Sequence, residues 1–582
     1  MSGKLLLCLF PFLVASAQTG NVYVQHNLVS DVPGLADVTD PNLVDPWGLS
    51  FSTTSPFWVS NHGAGNTTVY NNASSAGITV TSTLVTIPSG FGGPTPSAPT
   101  GQVQNNTSGF LLPNGTKASF IFCTEDGTVS AWNGGKTATV MIDNSAAGTV
   151  YKGMAIGSTS AGPLLYLANF SYGTIDVLDT NFKLTTVPGG FGDANLPAGY
   201  APFNIWPLNG SLYVMFAKQD ARKKNDAPGP GNGVVDVFDF NGNFLQRLAA
   251  GGPLNSPWGV AMAPAGWGAF SNSVLIGNFG DGKINSFDPA TGKFLGALQD
   301  STGAPISIQG LWAILFGNGA SGGDNHYLYF TAGILSGGAQ HGLLGSIAPP
   351  AQVMAVQNAA SGVSGPIAPG EVVTLTGISI GPRPAVSSPS LSSNVNDGTS
   401  LGGTSVTFDG IPAPILYTQA DQTNVIVPWS LTGSTAMIAV TTGTTALPPF
   451  QVSLAATAPG LFNSGGAVLA FNQDGTLNSA SNAAAAGTVV VLYATGLGQT
   501  NPLPQDGVRS SFLVLAEVAA SVTVSIGGKT AQLIYAGSAP GQIAGVMQVE
   551  AVVPLGAGVG TVPVVVAAGQ ASSQPNVTIN LK

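Results

Sequence analysis

The stretch Val274–Leu298 reads VLIGNFGDGKINSFDPATGKFLGAL. Three apolar segments, VLIGN, KINSF and KFLGAL, are separated by polar turns that carry Gly282 and Gly292. Short apolar runs bounded by Gly, Asp and Pro read as strands joined by tight turns. A fourth run, PWGVA (Pro257–Ala261), lies just upstream. The pattern recurs through the first 350 residues. Its VLIGN segment returns as FWVSN (Phe57–Asn61), FIFCT (Phe120–Thr124), LYLAN (Leu165–Asn169), LYVMF (Leu212–Phe216) and LYFTA (Leu328–Ala332). The mean interval is about 50 residues, in the range of propeller blades.

Each copy has an upstream partner of the PWGVA kind: PWGLS (Pro46–Ser50), GMAIG (Gly153–Gly157), FNIWP (Phe203–Pro207) and GLWAI (Gly310–Ile314). The second copy has the weakest one, TGQV (Thr100–Val103). Three or four strands per unit, six units and no helical periodicity predict an all-β fold that begins with a six-bladed β-propeller. The last unit runs from LLGSI (Leu343–Ile347) into Ala348-Pro349-Pro350 with no outer strand. NVYVQHNLV (Asn21–Val29) precedes the first unit and has no partner there. It is expected to complete the sixth blade, which closes the ring and removes two sheet edges.

From about residue 351 aromatics thin out and Val, Thr, Ala and Gly rise. APGEVVTLTG (Ala368–Gly377) matches AAGTVVVLYATG (Ala485–Gly496). SVTFDGIPAPILYT (Ser405–Thr418) matches TVSIGGKTAQLIYA (Thr523–Ala536). Both copies then reach an apolar strand ending in Pro, NVIVP (Asn424–Pro428) and EAVVP (Glu550–Pro554). Two copies with alternating strands predict two immunoglobulin-like β-sandwich domains, 351–457 and 458–582, behind a propeller of 18–350.

Only 7% of the residues are charged, against about 25% in ordinary soluble domains. The chain is nonetheless rich in aliphatics, so disorder is not expected. A net charge of −10 with 16 Lys and Arg argues against nucleic-acid binding, which needs clustered cations. The one basic cluster, Arg222–Lys223–Lys224, lies in a Pro/Gly-rich loop and reads as solvated. The N-terminal MSGKLLLCLFPFLVASAQ has a lysine, a short apolar run and a small-residue Ala15-Ser16-Ala17 site. It predicts a signal peptide over residues 1–17 and export to the cell surface or beyond. No later apolar run is long enough for a membrane-spanning helix. Only Cys123 follows the cleavage site, so no intrachain disulfide is expected.

NLVSDVPG (Asn27–Gly34), TDPNLVDPWGLSF (Thr39–Phe51), GDGKINSFDPATGKFLG and LYFTAG…HGLLGSI (Leu328–Ile347) resemble an uncharacterised family of exported bacterial propellers, distantly similar to NHL-repeat propellers. VQNAASG (Val356–Gly362), APGEVVTLTG and APGLF (Ala458–Phe462) resemble a C-terminal domain common on secreted acidobacterial proteins. The resemblance implies export and a propeller, and no activity.

Aligned repeats give columns of candidate residues. Asp281 falls with Ala64, Asp126, Tyr172, Asn232 and His341, one per blade and each next to or near a glycine. The glycine supplies the positive φ of a turn, and the varied side chain marks a candidate ligand-binding face. Asp288 falls with Asn71, Asn133, Asp179 and Asp239 and reads as a turn residue. Another column reads Asn61, Thr124, Asn169, Phe216, Asn278 and Ala332. Asn61, Asn169 and Asn278, with Glu125, form a candidate set of oxygen ligands for a divalent cation such as Ca²⁺ at the channel mouth. The competing reading is that Asn marks strand ends. Cys123 sits in a column of small residues and reads as packing, with no nearby cation to lower its pKa. Gly319–Gly323 matches G-x-S-x-G formally, but in a glycine-rich loop rather than at a strand-to-helix elbow. None of the four histidines has a metal-ligand spacing.

These features predict a secreted or cell-surface binding, adhesion or scaffolding protein, whose propeller face meets a glycan, protein or small molecule. No cofactor is expected. Two alternatives stand beside it: a lactonase-like propeller hydrolase or lyase with a divalent cation, and a structural envelope component.

Overall fold

The computed structural model describes residues 21–72, 77–382, 384–389 and 398–582. The expected signal peptide, 1–17, lies outside the described residues. Residues 18–349 form one compact unit and residues 350–582 another. The described residues include two helical turns of three residues each, and among them no helix is long and apolar enough to cross a membrane.

Residues 18–349 build a six-bladed β-propeller. Blade one is Pro46–Ser50, Phe57–Asn61, Asn66–Asn71 and Thr79–Thr86, paired in that order. Blades two to five repeat the order and start at Pro99–Gln104, Tyr151–Thr159, Tyr200–Leu208 and Pro257–Met262. Blade six is Leu311–Phe316, Leu328–Ser336 and Ala339–Ala348, and its outer strand is Val24–Ser30, from the other end of this unit. Val24 pairs with Ala348 and Ser30 with Leu343. The ring therefore closes as the unpaired N-terminal segment predicts. The second strands of blades one, two and five are buried throughout, because each blade packs face to face on its neighbours. The outer strands face solvent on one side, as in Thr79–Thr86.

One irregularity is shared by all six blades. The register of the innermost strand against the second strand shifts at Pro46/Leu49, Pro99/Gln102, Tyr151/Gly153, Pro202/Asn204, Pro257/Gly259 and Leu311/Ile314. Such a bulge bends the strand and re-aims a side chain. It holds Trp47, Thr100, Lys152, Phe203, Trp258 and Trp312 in turn. The next residue is glycine in four blades. A Cβ at Gly48, Gly101 or Gly259 would collide with the neighbouring blade's backbone, and one at Gly153 with Asn204. The glycines thus let the inner strands close around the axis. What is left inside is a cavity of about 10 Å³ lined by Gly48, Gln102, Met154, Asn204, Trp258 and Ala313 among others, room for one water at most.

The second unit contains two copies of one strand order. In the first, Gln352–Asn358, Val372–Ile378, Gln422–Ile426 and Ile415–Gln419 form one sheet, and Thr404–Phe408 with Thr435–Thr442 a second. In the later copy Val489–Thr495, Met547–Val552 and Lys529–Ser538 correspond to one sheet, and Val522–Ile526 with Gly560–Ala568 to the other. Each copy buries its own aliphatic core, around Val373, Val406 and Val425 in one and Val490, Val524 and Val549 in the other. The matched sequence segments occupy matching strands.

Candidate functional site

Where the inner strands converge, two rings of side chains meet at one end of the axis. The first is the bulge ring just described. The second is the residue one position beyond the asparagine column of each second strand and reads His62, Glu125, Phe170, Ala217, Phe279 and Gly333; in blades four and six the strand runs on past it. Backbone bonds fix it against the start of the inner strand: His62 donates to Asp45 O, Glu125 to Ala98 O, Phe170 to Val150 O and Phe279 to Ser256 O. Asp45 and Ser256 hold the same place in blades one and five, with φ of 47° and 46°. Gly310 holds it in blade six with φ 66°. This left-handed kink turns the chain into the inner strand.

The rings divide the mouth into a charged half and an aromatic half. On blades one to three, Asp45, His62, Glu125 and Lys152 form one chain of alternating charge. His62 bonds Asp45 Oδ2 through Nδ1 at 3.1 Å and Glu125 Oε2 through Nε2 at 2.8 Å. Lys152 Nζ donates to Glu125 Oε1. The side chains of Asp45, His62, Glu125 and Lys152 are 2%, 20%, 12% and 3% exposed, so the chain comes nearest the surface at His62 and is buried at both ends. On blades three to six, Phe170, Phe203, Phe279 and Trp312 are in ring contact, with Phe279 stacked on Trp312 at 4.1 Å. Trp47 joins the halves, stacked on Trp312 at 3.5 Å and on His62 at 4.6 Å. The Lys152 ammonium lies 5.2 to 5.8 Å from the ring centres of Trp47, Phe170 and Phe203, a favourable cation–π arrangement.

These contacts fix the ionisation of the site. Burial works against the His62 imidazolium, but the hydrogen bonds and charges of Asp45 and Glu125 outweigh it and raise its pKa from 6.5 to about 9. Burial disfavours the Glu125 carboxylate, but the Lys152 ammonium and then His62 outweigh it and lower its pKa to about 2. Both ring nitrogens of His62 face carboxylates, so both donate. His62 is therefore a cation at neutral pH and neither accepts nor releases a proton readily there.

The asparagine column does not share this site. Asn61 Nδ2 donates to Asn66 and Thr68, Asn169 Nδ2 to Asp176, and Asn278 Nδ2 to Pro253 O and Asp281. Successive strand residues point to opposite faces, so these amides turn into their own blades and Glu125, one position on, faces the mouth. Among the described residues no three His, Cys, Asp or Glu side chains are grouped as ligands of one metal ion. The face column surrounds the mouth less evenly than the repeats suggest. Ala64, Asp126, Tyr172 and Asp281 sit in turns beside the positive-φ glycines 65, 127, 173 and 282. Asn232 lies in the long blade-four loop and donates to Ala227 O. His341 departs from the turn reading. The hairpin of blade six runs on to a turn at Gly337–Gly338, which leaves His341 inside a strand opposite Ile334 and bonded to Asp31 at 2.7 Å. Of the six, Asp126 is the one next to the ion chain.

Asp45, Trp47, His62 and Lys152 are absent from the columns singled out in the sequence. One signal points to them: VYKGMAI (Val150–Ile156) carries a lysine where other blades carry Trp, Thr or Phe, inside an apolar strand. A lysine there must be paired.

Solved structures with similarity to the chain include a streptogramin B lyase (12% identity, 56% of this chain and 96% of that one, TM-score 0.29). A glucose dehydrogenase (12%, 53% and 98%, TM-score 0.33) and the PQQ-bound aldose sugar dehydrogenase of Streptomyces coelicolor (13%, 56% and 99%, TM-score 0.32) are further examples. At these scores no activity is carried over. No protein-family model matches the chain. Two uncharacterized proteins of Acanthamoeba polyphaga mimivirus are each 33% identical to it, over 299 and 296 residues. The matches take in 49% of this chain and 71% and 76% of those proteins. On this identity and coverage, the chain belongs to the family of these two mimivirus proteins.

Proposed function

We propose that the protein is an exported binding protein that recognises a small polar group at the mouth of its propeller. The observation that carries the reading is the Asp45–His62–Glu125–Lys152 chain, drawn from three blades to one end of the axis. Buried charges are costly, and here they are gathered at the surface end of a channel that is otherwise filled. The ionisation of His62 and Glu125 supports binding over acid–base catalysis, because neither group titrates near neutral pH. Export rests on the N-terminal sequence and on the resemblance to exported bacterial propellers. The duplicated C-terminal unit is read as two immunoglobulin-like modules that carry or anchor the propeller. A hydrolase or lyase with a divalent cation has less support, since only Glu125 of its four proposed ligands faces the mouth.

A thermal-shift screen of small amines, acids, sugars and nucleosides tests the reading. A ligand of the folded state raises the melting temperature by mass action. Compounds that stabilise the wild type are expected to lose their effect on Glu125→Gln, with the fold checked by circular dichroism. A screen without hits, or hits indifferent to Glu125→Gln, refutes it.

A further inference from the structure

We propose that the propeller carries a second binding site, for a neutral saccharide, in an open cavity at the end of the ring opposite the mouth. The inference goes beyond the mouth reading and shares no residue with it.

Inner strands start at the mouth and finish at the far end, so the loops that lead into the second strands gather there. Those of blades six, one and two, residues 317–327, 51–56 and 105–119, are neighbours in the ring. Between them lies a cavity of about 530 Å³ lined by Phe51, Ser52, Thr53, Gln104, Asn106 and Asn318. That volume falls within the roughly 300–1,000 Å³ of small-ligand sites. The channel that separates the two ends is filled except for about 10 Å³, so the cavity is distinct from the mouth.

The cavity walls are held by two asparagines whose amides are fully used. Asn318 Nδ2 donates to Ser52 O and Ser55 O, both at 2.9 Å, and its Oδ1 accepts from Ala320 N and Gly322 N. One side chain thereby ties the blade-six loop to the blade-one loop. Asn105 stands in sequence between the lining residues Gln104 and Asn106 and is fully buried. It donates to Gly109 O and Ala118 O and accepts from the N–H and the hydroxyl of Thr107. The other amides of the lining are not used up in this way. Gln104 Nε2 donates to Asn105 O, which fixes its amide and leaves Oε1 open. Among the described residues, the side chains of Thr53 and Asn106 make no hydrogen bond. Fixed walls with unspent donors and acceptors are preorganised for a polar ligand.

The chemistry of the lining selects the ligand class. It consists of three amides, two hydroxyls and one aromatic ring, with no ionisable group. Lys117, Asp324 and His326 lie on the same loops but do not line the cavity. An ionic ligand would lose hydration there without a counter-charge, and an apolar one would leave the amides unpaired. Phe51 packs on the buried Phe57 at 5.7 Å and stays part-exposed in the cavity wall. Amides both donate to and accept from hydroxyl groups, and an aromatic ring covers the C–H face of a pyranose. A sugar presents both surfaces at once.

The test uses the full chain. Glucose, galactose, N-acetylglucosamine and cellobiose are titrated, with sodium phosphate, ethylammonium chloride and cyclohexanol as charged and apolar controls. Saturation-transfer NMR and melting temperature are read, and an array of immobilised neutral glycans tells a free sugar from the end of a glycan chain. A saturable response to at least one saccharide in either arm is expected, with none to the controls. Asn106→Ala should weaken it about fivefold or more. Thr53→Trp, which fills the cavity from an exposed position, should abolish it, and Glu125→Gln should leave it unchanged. Both cavity variants should melt as the wild type does; should one of them not, the other carries the test. The proposal falls if no saccharide gives a saturable response, if a control matches it, or if a folded cavity variant leaves it unchanged. A response lost in Glu125→Gln instead belongs to the mouth, and overturns this site while leaving the mouth reading standing. A response lost in Thr53→Trp is, conversely, not a hit at the mouth.

Discussion

His62 should make the propeller's stability depend on pH in a defined window. Its folded-state pKa of about 9 lies above the ordinary 6.5. The stabilisation from the imidazolium is therefore complete below pH 6.5, fades between 6.5 and 9, and is gone above 9. A displacement from 6.5 to about 9 is worth roughly 3 kcal/mol at 1.36 kcal/mol per pH unit. The side chain is 20% exposed, so most of this should survive solvent screening. For a unit as large as residues 18–349, 1 kcal/mol moves the melting temperature by roughly 1.4 °C, which gives about 4 °C. The perturbation is His62→Gln, with melting followed by circular dichroism from pH 5.5 to 9.5. The difference between the two proteins removes every group they share, including the buried tyrosines and Glu371. His62→Gln should melt well below the wild type at pH 5.5, and the gap should narrow by about 4 °C by pH 9.5. A gap that stays constant across the range would refute the charge chain. So would an imidazole resonance for His62 that titrates near 6.5.

Three further expectations follow from the same physics. Lys152→Met leaves Glu125 buried with one partner fewer and should cost roughly 3–5 kcal/mol, while the double change Lys152→Met/Glu125→Gln recovers most of it in chemical denaturation. Equal losses in single and double variants would show that the pair is not coupled. Cys123 is fully buried, and burial raises its thiol pKa to about 11. In protein lacking residues 1–17, and with them Cys8, a thiol reagent should leave the native fold untouched and label one site after unfolding; rapid native labelling would contradict the packing. Glu371 is fully buried in the second unit, where burial raises its pKa from 4.5 to about 8 against the Ala368 N–H and Asn358. Folding then loses stability as pH rises from 4.5 through 8. Glu371→Gln should be more stable than the wild type at pH 9, by roughly 3–5 kcal/mol before any loss of local bonding, and a less stable variant at that pH would reject the assignment.

Most of the architecture was legible from repeats. Six copies of a strand–turn–strand unit gave the blades, and the unpaired Asn21–Val29 segment gave the closing strand, because each is a local pattern repeated at a fixed interval. Asp281 and Asp288 both serve their own turns in the structure. Asp288 caps its own turn, accepting from Ala290 N and Thr291 N at 3.0 and 2.8 Å. Asp281 accepts from Asn278 and Lys283 within its own blade. His341 departs from the repeat. Its glycine matches the column, but the strands of blade six pair four residues further, from Gly333↔Gly342 to Ser336↔Ala339, before turning.

The amino-acid sequence by itself determined the number of blades, the strand that closes them and the duplication of the C-terminal unit, since strand alternation and turn chemistry act between near neighbours. Only the tertiary structure decided the site. The asparagine column was conspicuous and points into the blades, whereas the column that reaches the mouth, His62 and Glu125 among it, stands one residue further on. Strand alternation sends the two columns to opposite faces, and which face becomes the mouth depends on how six blades pack. Lys152 and Trp47 reach the axis through bulges that their own sequence does not announce, held open by Gly153 and Gly48 against neighbouring blades. Charges from three blades, distant in sequence, become one chain because the ring brings them to a single point.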